Sequence, residues 1–277
     1  MNKIKYSCKD YVEAVKYDLK NKISVLDKQP TLVVVQVDND AASNSYIKGK
    51  KKDCEDVGIK LFHVKINSHE FSQKDLCEVI RSFNYDDTVH GIIIQLPIPD
   101  KYGVEELQNC ISPEKDVDGF RVDSKHKPCT PKGIIDWLKY NNYDFDGKEC
   151  VVLGRSKIVG KPLVNMLIEE GATVTCCNSH TKYPCIYTKN ANLVISAVGK
   201  PKYFDDFYFE NECEVIVDVG INRDENGKLC GDIDSSKMDE ISYPNTYITP
   251  VPGGVGLLTR CTLLKNLMDA YYMLEVI

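Results

Sequence analysis

Tyr46 and Lys50 lie four residues apart in the run SYIKGKKKDC. On a helix this spacing puts both on one face, which continues to Cys54 and Val57, while Lys48, Lys51 and Lys52 point elsewhere. An ammonium on an apolar face loses hydration, and that lowers a lysine from about 10.4 toward a range useful for acid–base work. The plain alternative is a solvated basic helix face. In GIIIQLPIP a lone polar side chain, Gln95, ends an otherwise apolar strand. Ligands bind at that end in open α/β sheets. A glutamine there can hydrogen-bond a lysine or a substrate, or can simply tie down the following loop, whose Pro97 and Pro99 have no N–H to give. In PEKDVDGF, Asp116 and Asp118 stand two apart before Gly119. Two carboxylates can grip a guanidine-like edge, or they can form an Asx-type turn. No histidine accompanies them, so a metal is the weaker idea and no metal site is expected.

A different chemistry is written in GRSKIVGKP, Gly154 to Pro162. It follows a short apolar strand and opens an amphipathic helix. Two glycines let the backbone pass close to a pyrophosphate, Pro162 fits a first helical turn, and free amides there are expected to face the anion. The stretch is neither a G-x-G-x-x-G fingerprint nor a Walker loop, since five residues separate Gly154 from Gly160 and proline replaces Ser or Thr. It is not a hydrolase elbow either, because Ile158 occupies the position two after Ser156. An ordinary strand-to-helix turn is the plain alternative. Near the C-terminus, TPVPGGVG combines two prolines with three glycines, a rigid loop of bare backbone suited to wall a flat ligand.

These residues need elements to hold them. Tyr11, Val12, Val15, Leu19, Ile23 and Leu26 recur at helical spacing before the β-branched strand TLVVVQV. A helix from about 44 to 57, a strand near 59–66, a helix with Leu76, Val79, Ile80 and Phe83 inward, and GIIIQL follow. Later strands are expected at 149–153, 173–176, 193–196 and 214–218. Continuous apolar strands alternating with amphipathic helices predict an α/β fold of mostly parallel sheet, covered on both faces. Two α/β domains are expected: residues 1–120, joined by a C-terminal helix over 256–277 that carries Leu264, Leu267, Met268 and Tyr271 on one face, and a Rossmann-type dinucleotide-binding domain over 121–255. Proline and lysine crowd the hinge between Ser112 and Pro131.

The net charge of -6 in 277 residues argues against nucleic acid as a partner, because phosphate neutralisation needs clustered cations. No apolar run reaches membrane length, and MNKIKYSCKD has no apolar signal core, so a cytoplasmic protein with small-molecule ligands is expected. Twelve scattered cysteines without a C-x-x-C pair read as reduced core thiols.

Five ordered motifs, spread over essentially the whole chain, resemble the bifunctional methylenetetrahydrofolate dehydrogenase/cyclohydrolase family: SNSYIKGKKKDCEDVGI with Ser43, Tyr46 and Lys50; GIIIQLPIP; PEKDVDGF followed by PCTPKGI; GRSKIVGKP; and TPVPGGVG with Thr259. VISAVGKP and VIVDVGIN fall where the family's later Rossmann strands do, ahead of GDID. The resemblance implies oxidation of methylenetetrahydrofolate with NADP, then hydrolysis of the methenyl product to 10-formyltetrahydrofolate, in one-carbon metabolism that feeds purine biosynthesis. It implies that Lys50 assists water attack with Gln95 beside it, that Tyr46 stacks on the folate, that Asp118 holds the amino-pyrimidine edge, and that Pro252, Gly253 and Gly254 line the folate pocket. Gly154, Arg155, Ser156, Gly160, Ser179 and Ile221 are the implied cofactor residues, and a homodimer the implied assembly. No acid ends the strand before Ser179, and Arg with Ser suits the 2'-phosphate of NADP better than the free hydroxyl of NAD. The chain departs from the family pattern at Asp38 (usually Gly), Ala41 (Pro), Asn178 (His) and Leu257–Leu258 (Pro-Met), and its 121–127 segment is short. A dehydrogenase with weak hydrolysis, or a non-catalytic folate- or dinucleotide-binding regulator, is the competing reading.

Overall fold

The amphipathic stretch Cys8–Ile23 forms helix α1 and the wholly buried run Thr31–Val37 forms strand β1, in a computed structural model that describes residues 7–210, 213–238 and 245–275. Residues 1–6 of MNKIKYSCKD, on which the expected absence of a signal core rests in part, and positions 276–277 of the expected final helix lie outside the described residues. There follow α2 (Ala41–Val57), β2 (Lys60–Ile66), α3 (Gln73–Asn84), β3 (Gly91–Gln95), α4 (Val104–Gln108), α5 (Cys129–Tyr140), β4 (Glu149–Leu153), α6 (Gly160–Glu169), β5 (Thr173–Cys177), α7 (Cys185–Thr188), β6 (Leu193–Ser196), β7 (Val215–Asp218), β8 (Asn222–Arg223), β9 (Leu229–Cys230), β10 (Tyr247–Ile248) and α8 (Val255–Glu275). The chain divides into two units. Residues 13–129 with 260–275 make the first, and residues 7–12 with 130–259 the second.

In the first unit three parallel strands run in the order β2-β1-β3. Successive residues of β1 serve opposite faces, as strand geometry demands. Leu32 and Val34 join Leu19 and Ile23 of α1, Ile47, Cys54 and Val57 of α2, and Leu263, Leu264, Leu267 and Met268 of α8 in one core. Val33, Val35 and Val37 join Leu76 and Ile80 of α3 and Leu107 of α4 in the other. Both faces are covered, which explains the uninterrupted apolar strands. Helix α2 begins at Ala41 rather than near Asn44, because Asp40 is an N-cap whose carboxylate accepts the Ser43 N–H at 2.6 Å. Helix α3 ends on Lys115, whose ammonium donates to the carbonyls of Phe83, Asn84 and Asp86 at 2.8 to 3.1 Å. A cation at a helix C-terminus meets the negative end of the dipole.

The cysteine expectation needs one correction. Cys77 of α3 and Cys110, just beyond α4, are joined as a disulfide, with Cα atoms 5.7 Å apart. Their 33-residue separation carries no sequence signal; the packing of α3 on α4 brings them together. The other ten cysteines form no disulfide, and most are buried.

The second unit has five parallel strands in the order β10-β7-β6-β4-β5. Strand order reverses at β4, whose neighbours are β5 and β6, and such a switch point opens a ligand crevice at the carboxyl ends. The two-residue strand β10 and the antiparallel pair β8–β9 were not expected, since segments that short have no period to detect. No helix of the described residues is long and apolar enough to cross a membrane.

At the amino end of β1 the His90 ring, almost wholly buried, accepts the Thr31 N–H on Nδ1 at 3.1 Å and meets Glu275 of α8 through Nε2 at 3.2 Å. Burial holds this histidine below 6.5, with Glu275 opposing. Unfolded chains take up the proton near 6.5 while the native fold resists, so this stability is full above that pH and is lost as pH falls through the lower native value. Thermal melts from pH 7 to pH 5 should therefore show a decline that is shallower in His90→Gln; equal slopes would refute the assignment.

Candidate active site

Helix α2 presents one lysine inward. Lys50 is buried at 7% exposure, while Lys48, Lys51 and Lys52 are exposed. Its Nζ donates to Gln95 Oε1 at 3.1 Å and stands 5.8 Å from the centre of the Tyr46 ring. The Gln95 amide is itself aimed: its Nε2 donates to the Leu96 carbonyl at 2.7 Å, which leaves the oxygen for the lysine. Ser43, also buried, donates to that same carbonyl at 3.4 Å and so ties α2 to the end of β3. Burial pushes Lys50 below its usual value, with the nearby Asp118 carboxylate opposing. Asp118 is pushed up by burial, with Lys50 opposing. Each charge moderates the cost of burying the other.

The two aspartates of PEKDVDGF divide their tasks. Asp116 accepts the Arg121 N–H at 2.9 Å and, through its carbonyl, the Gly119 N–H at 3.1 Å, so the turn reading holds for it. Asp118 is the one whose charge reaches Lys50. Asn266 of α8 was missed. It is buried and donates to the carbonyls of Val117 and Lys127 at 2.9 and 3.0 Å, holding the Asp118 segment in place. A lone asparagine amid Leu263, Leu267 and Ala270 was the available signal. Asp53 was missed as well: it receives Lys16 and the Nε of Arg260, each at 2.5 Å, and Arg260 lies over Gly49, one turn from Tyr46.

Asp38 sits at φ 58°, in the left-handed region. Aspartate tolerates that region better than most residues. Its carboxylate also accepts the Ser68 N–H at 2.7 Å, and that bond holds it below the usual carboxylate range. Ala41 takes the first helical position, where the Asp40 cap sets the start.

In the second unit, Gly154 at φ 115° turns the chain out of β4 and lies directly on the Ala197 carbonyl, where a Cβ would clash; Gly160 lies as closely on the Gly154 carbonyl. The expected open amides need revision. Ser156 Oγ accepts the N–H groups of Val159 and Gly160 at 3.2 and 3.3 Å, and its carbonyl takes that of Lys161 at 3.0 Å. The α6 end is thus capped by its own turn. The hydroxyl proton of Ser156 stays available to a ligand.

A cavity of about 350 Å³ opens beside this turn. Of the sequence-predicted cofactor residues Gly154, Arg155 and Ser179 line it and Ser156 and Gly160 do not, while Thr181, Lys200, Tyr203 and Tyr208, which sequence reading missed, add to its wall. Arg155 and Lys200 are its charged residues and no acid lines it. Asn178 forms an Asx turn to the His180 N–H at 2.9 Å, which sets the course of Ser179 and Thr181. Ile221 is 57% exposed and does not line this cavity. In TPVPGGVG, Gly253 has φ 105° and Gly254 packs at 2.5 Å on the Pro250 carbonyl measured from an added Cβ, so both positions exclude side chains.

Asp218 ends β7 buried, and burial pushes it up to about 6. Among the described residues no three of His, Cys, Asp and Glu gather into a metal-binding group.

Residues 6–118 match the family model described as the catalytic domain of tetrahydrofolate dehydrogenase/cyclohydrolase, and residues 128–274 match its NAD(P)-binding domain. The chain is 43% identical to the bifunctional protein FolD of Agathobacter rectalis over 268 residues, covering 92% of this chain and 94% of that one. It resembles the crystal structure of the bifunctional FolD enzyme from Campylobacter jejuni with a TM-score of 0.90 at 37% identity, over 96% of this chain and 97% of that one. It also resembles the Trypanosoma brucei FolD structure complexed with NADP and an inhibitor, with a TM-score of 0.87 at 27% identity, over 95% of each chain. Two domain models in the right order, the coverage of full-length relatives and the matching fold agree: the chain belongs to the tetrahydrofolate dehydrogenase/cyclohydrolase family.

Proposed function

We propose that this chain oxidises 5,10-methylenetetrahydrofolate with NADP and hydrolyses the resulting methenyl compound to 10-formyltetrahydrofolate. The observation that carries the reading is a buried lysine, hydrogen-bonded to Gln95 and opposed by Asp118, on the Tyr46 face of α2 at the carboxyl end of β3. A binding protein has no use for so costly an arrangement.

In this reading Tyr46 stacks on the folate ring system and Asp118 receives two N–H donors of the amino-pyrimidine edge, a geometry that suits one carboxylate. Pro252, Gly253 and Gly254 form a wall for the flat ligand. Lys50 positions the attacking water and passes a proton during hydrolysis, and Gln95, its amide fixed by Leu96, orients the ammonium. NADP supplies the hydride acceptor when bound. The cavity residues fit it: Gly154 allows close approach of a diphosphate, Arg155 and Lys200 offer cations, and Ser179 offers a hydroxyl. The lack of an acid in that lining suits a 2'-phosphate over a free hydroxyl. Ile221 meets the cofactor only outside this cavity. Residues 1–120 with 256–277 are assigned to folate and 121–255 to the cofactor. Cytoplasmic residence, a homodimer and a supply of formyl groups to purine biosynthesis complete the proposal.

Following reduced nicotinamide and methenyl absorbance together tests the two activities. The parent should reduce NADP without lasting methenyl, whereas Lys50→Met should still reduce NADP and accumulate methenyl, hydrolysis falling by about 10² to 10⁴. Methenyl accumulation already in the parent would leave a dehydrogenase with a weak second step; no reduction of either nicotinamide would leave a binding protein. Because a depressed lysine makes the native fold less stable below its native value and less so toward 10.5, Lys50→Met should melt higher than the parent at pH 7, by a margin that shrinks at pH 10. Arg155→Ala should lower the NADP over NAD preference by roughly 10- to 100-fold, as expected for one charge-assisted contact; an unchanged ratio of kcat/KM values would remove Arg155 from phosphate recognition.

A further inference from the structure

Asp232, in the GDID motif, is completely buried, yet no step of the proposed chemistry employs it. Its carboxylate is fully occupied by one stretch of backbone and two side chains. Oδ2 accepts the Ser196 hydroxyl at 2.9 Å and the Val198 N–H at 2.8 Å. Oδ1 accepts the Lys200 N–H and the Asn222 amide, both at 2.9 Å. Its own N–H and that of Ile233 are held by Asp218, at 2.9 Å each, and Asp218 also accepts the Gly220 N–H at 3.0 Å.

This pair shapes the chain after β6. That turn carries Ala197, Val198 and Lys200 into the wall of the cofactor cavity. Its Ala197 carbonyl is the surface on which Gly154 rests, so the phosphate turn after β4 is seated on a segment whose N–H groups end on Asp232. The close packing leaves a trace in the sequence: a Cβ at Gly231 would run into the Asp218 carboxylate, and one at Gly220 into that of Asp232. Two carboxylates thereby replace side-chain packing with a lattice of charge-assisted bonds, each short and directional.

We infer that Asp232, seated on Asp218, is a positioning residue for the cofactor: it fixes the 196–200 turn and, through Ala197, the height of the Gly154 turn beneath the bound dinucleotide. The inference rests on the proposed dehydrogenase reading. Asp232→Asn keeps the shape but presents two N–H groups to donors, cancelling two of the four bonds on that carboxylate. The affinity of the cavity for cofactor then falls while the folate machinery of the other unit is untouched.

Steady-state kinetics on the full-length chain test this with three readouts: KM for NADP, kcat at saturating NADP, and hydrolysis of added methenyltetrahydrofolate, which consumes no nucleotide. In Asp232→Asn the KM for NADP should rise on the order of tenfold or more, as loss of charge-assisted bonds implies. Its kcat should stay within a few-fold, and hydrolysis should equal that of the parent. Ser196→Ala and Asn222→Ala, each removing one bond, should raise KM by smaller steps; these two variants decide the matter if Asp232→Asn fails to fold. An unchanged KM in folded Asp232→Asn, or in both single-bond variants, overturns the inference, as does a parallel loss of kcat and hydrolysis, the mark of general destabilisation. A parent without NADP reduction would instead overturn the dehydrogenase reading.

Discussion

Removing an ammonium from water is among the most expensive things a fold can do, and the first unit is arranged around having done so at Lys50. The lysine needs an acceptor in direct contact, which Gln95 provides, and an opposing charge nearby, which Asp118 provides. Those two residues come from different places in the chain, so the requirement spreads. Gln95 must end a central parallel strand, and its amide must be turned by the Leu96 carbonyl. Asp118 must be held by a segment that has no helix or strand of its own, and it is pinned from behind by Asn266 of α8. The final helix is therefore part of the site as well as part of the core.

The second unit solves a different problem by different means. A dinucleotide needs bare backbone at close range, and bare backbone is floppy unless something else specifies it. Here Ser156 caps the turn that it belongs to, Gly154 rests on Ala197, and the buried carboxylates of Asp218 and Asp232 collect the N–H groups that strand ends leave unpaired. Asp218 is pushed up to about 6 by burial even though it accepts three N–H groups.

Several positions that no period marks are settled by local physics. Asp38 takes a left-handed backbone that glycine takes more easily, and offsets the strain with a bond to the Ser68 N–H. Asn178 uses its side chain to close an Asx turn onto the His180 N–H. The disulfide between Cys77 and Cys110 belongs to the same class of outcome, since neither residue is marked by a spacing motif.

What the amino-acid sequence determined by itself was whatever depends on period and on local backbone rules. Alternation of apolar strands with amphipathic helices specified the parallel sheets, the four-residue step from Tyr46 to Lys50 specified their shared face, and the glycines of GRSKIVGKP specified a tight turn after β4. The ordered motifs then made the family legible. Tertiary structure decided what depends on residues far apart in the chain: that Gln95 accepts from Lys50, that Asp116 serves the turn while Asp118 serves the lysine, and that Asp232 reaches back to the loop after β6. It also decided the very short strands β8 to β10, which exist only because a neighbouring edge pairs with them. The physical reason is common to all of these. Periodicity reports which face of an element is buried, but a buried polar group is satisfied by whichever partner the packing brings within about 3 Å, and that identity is not carried by any local pattern.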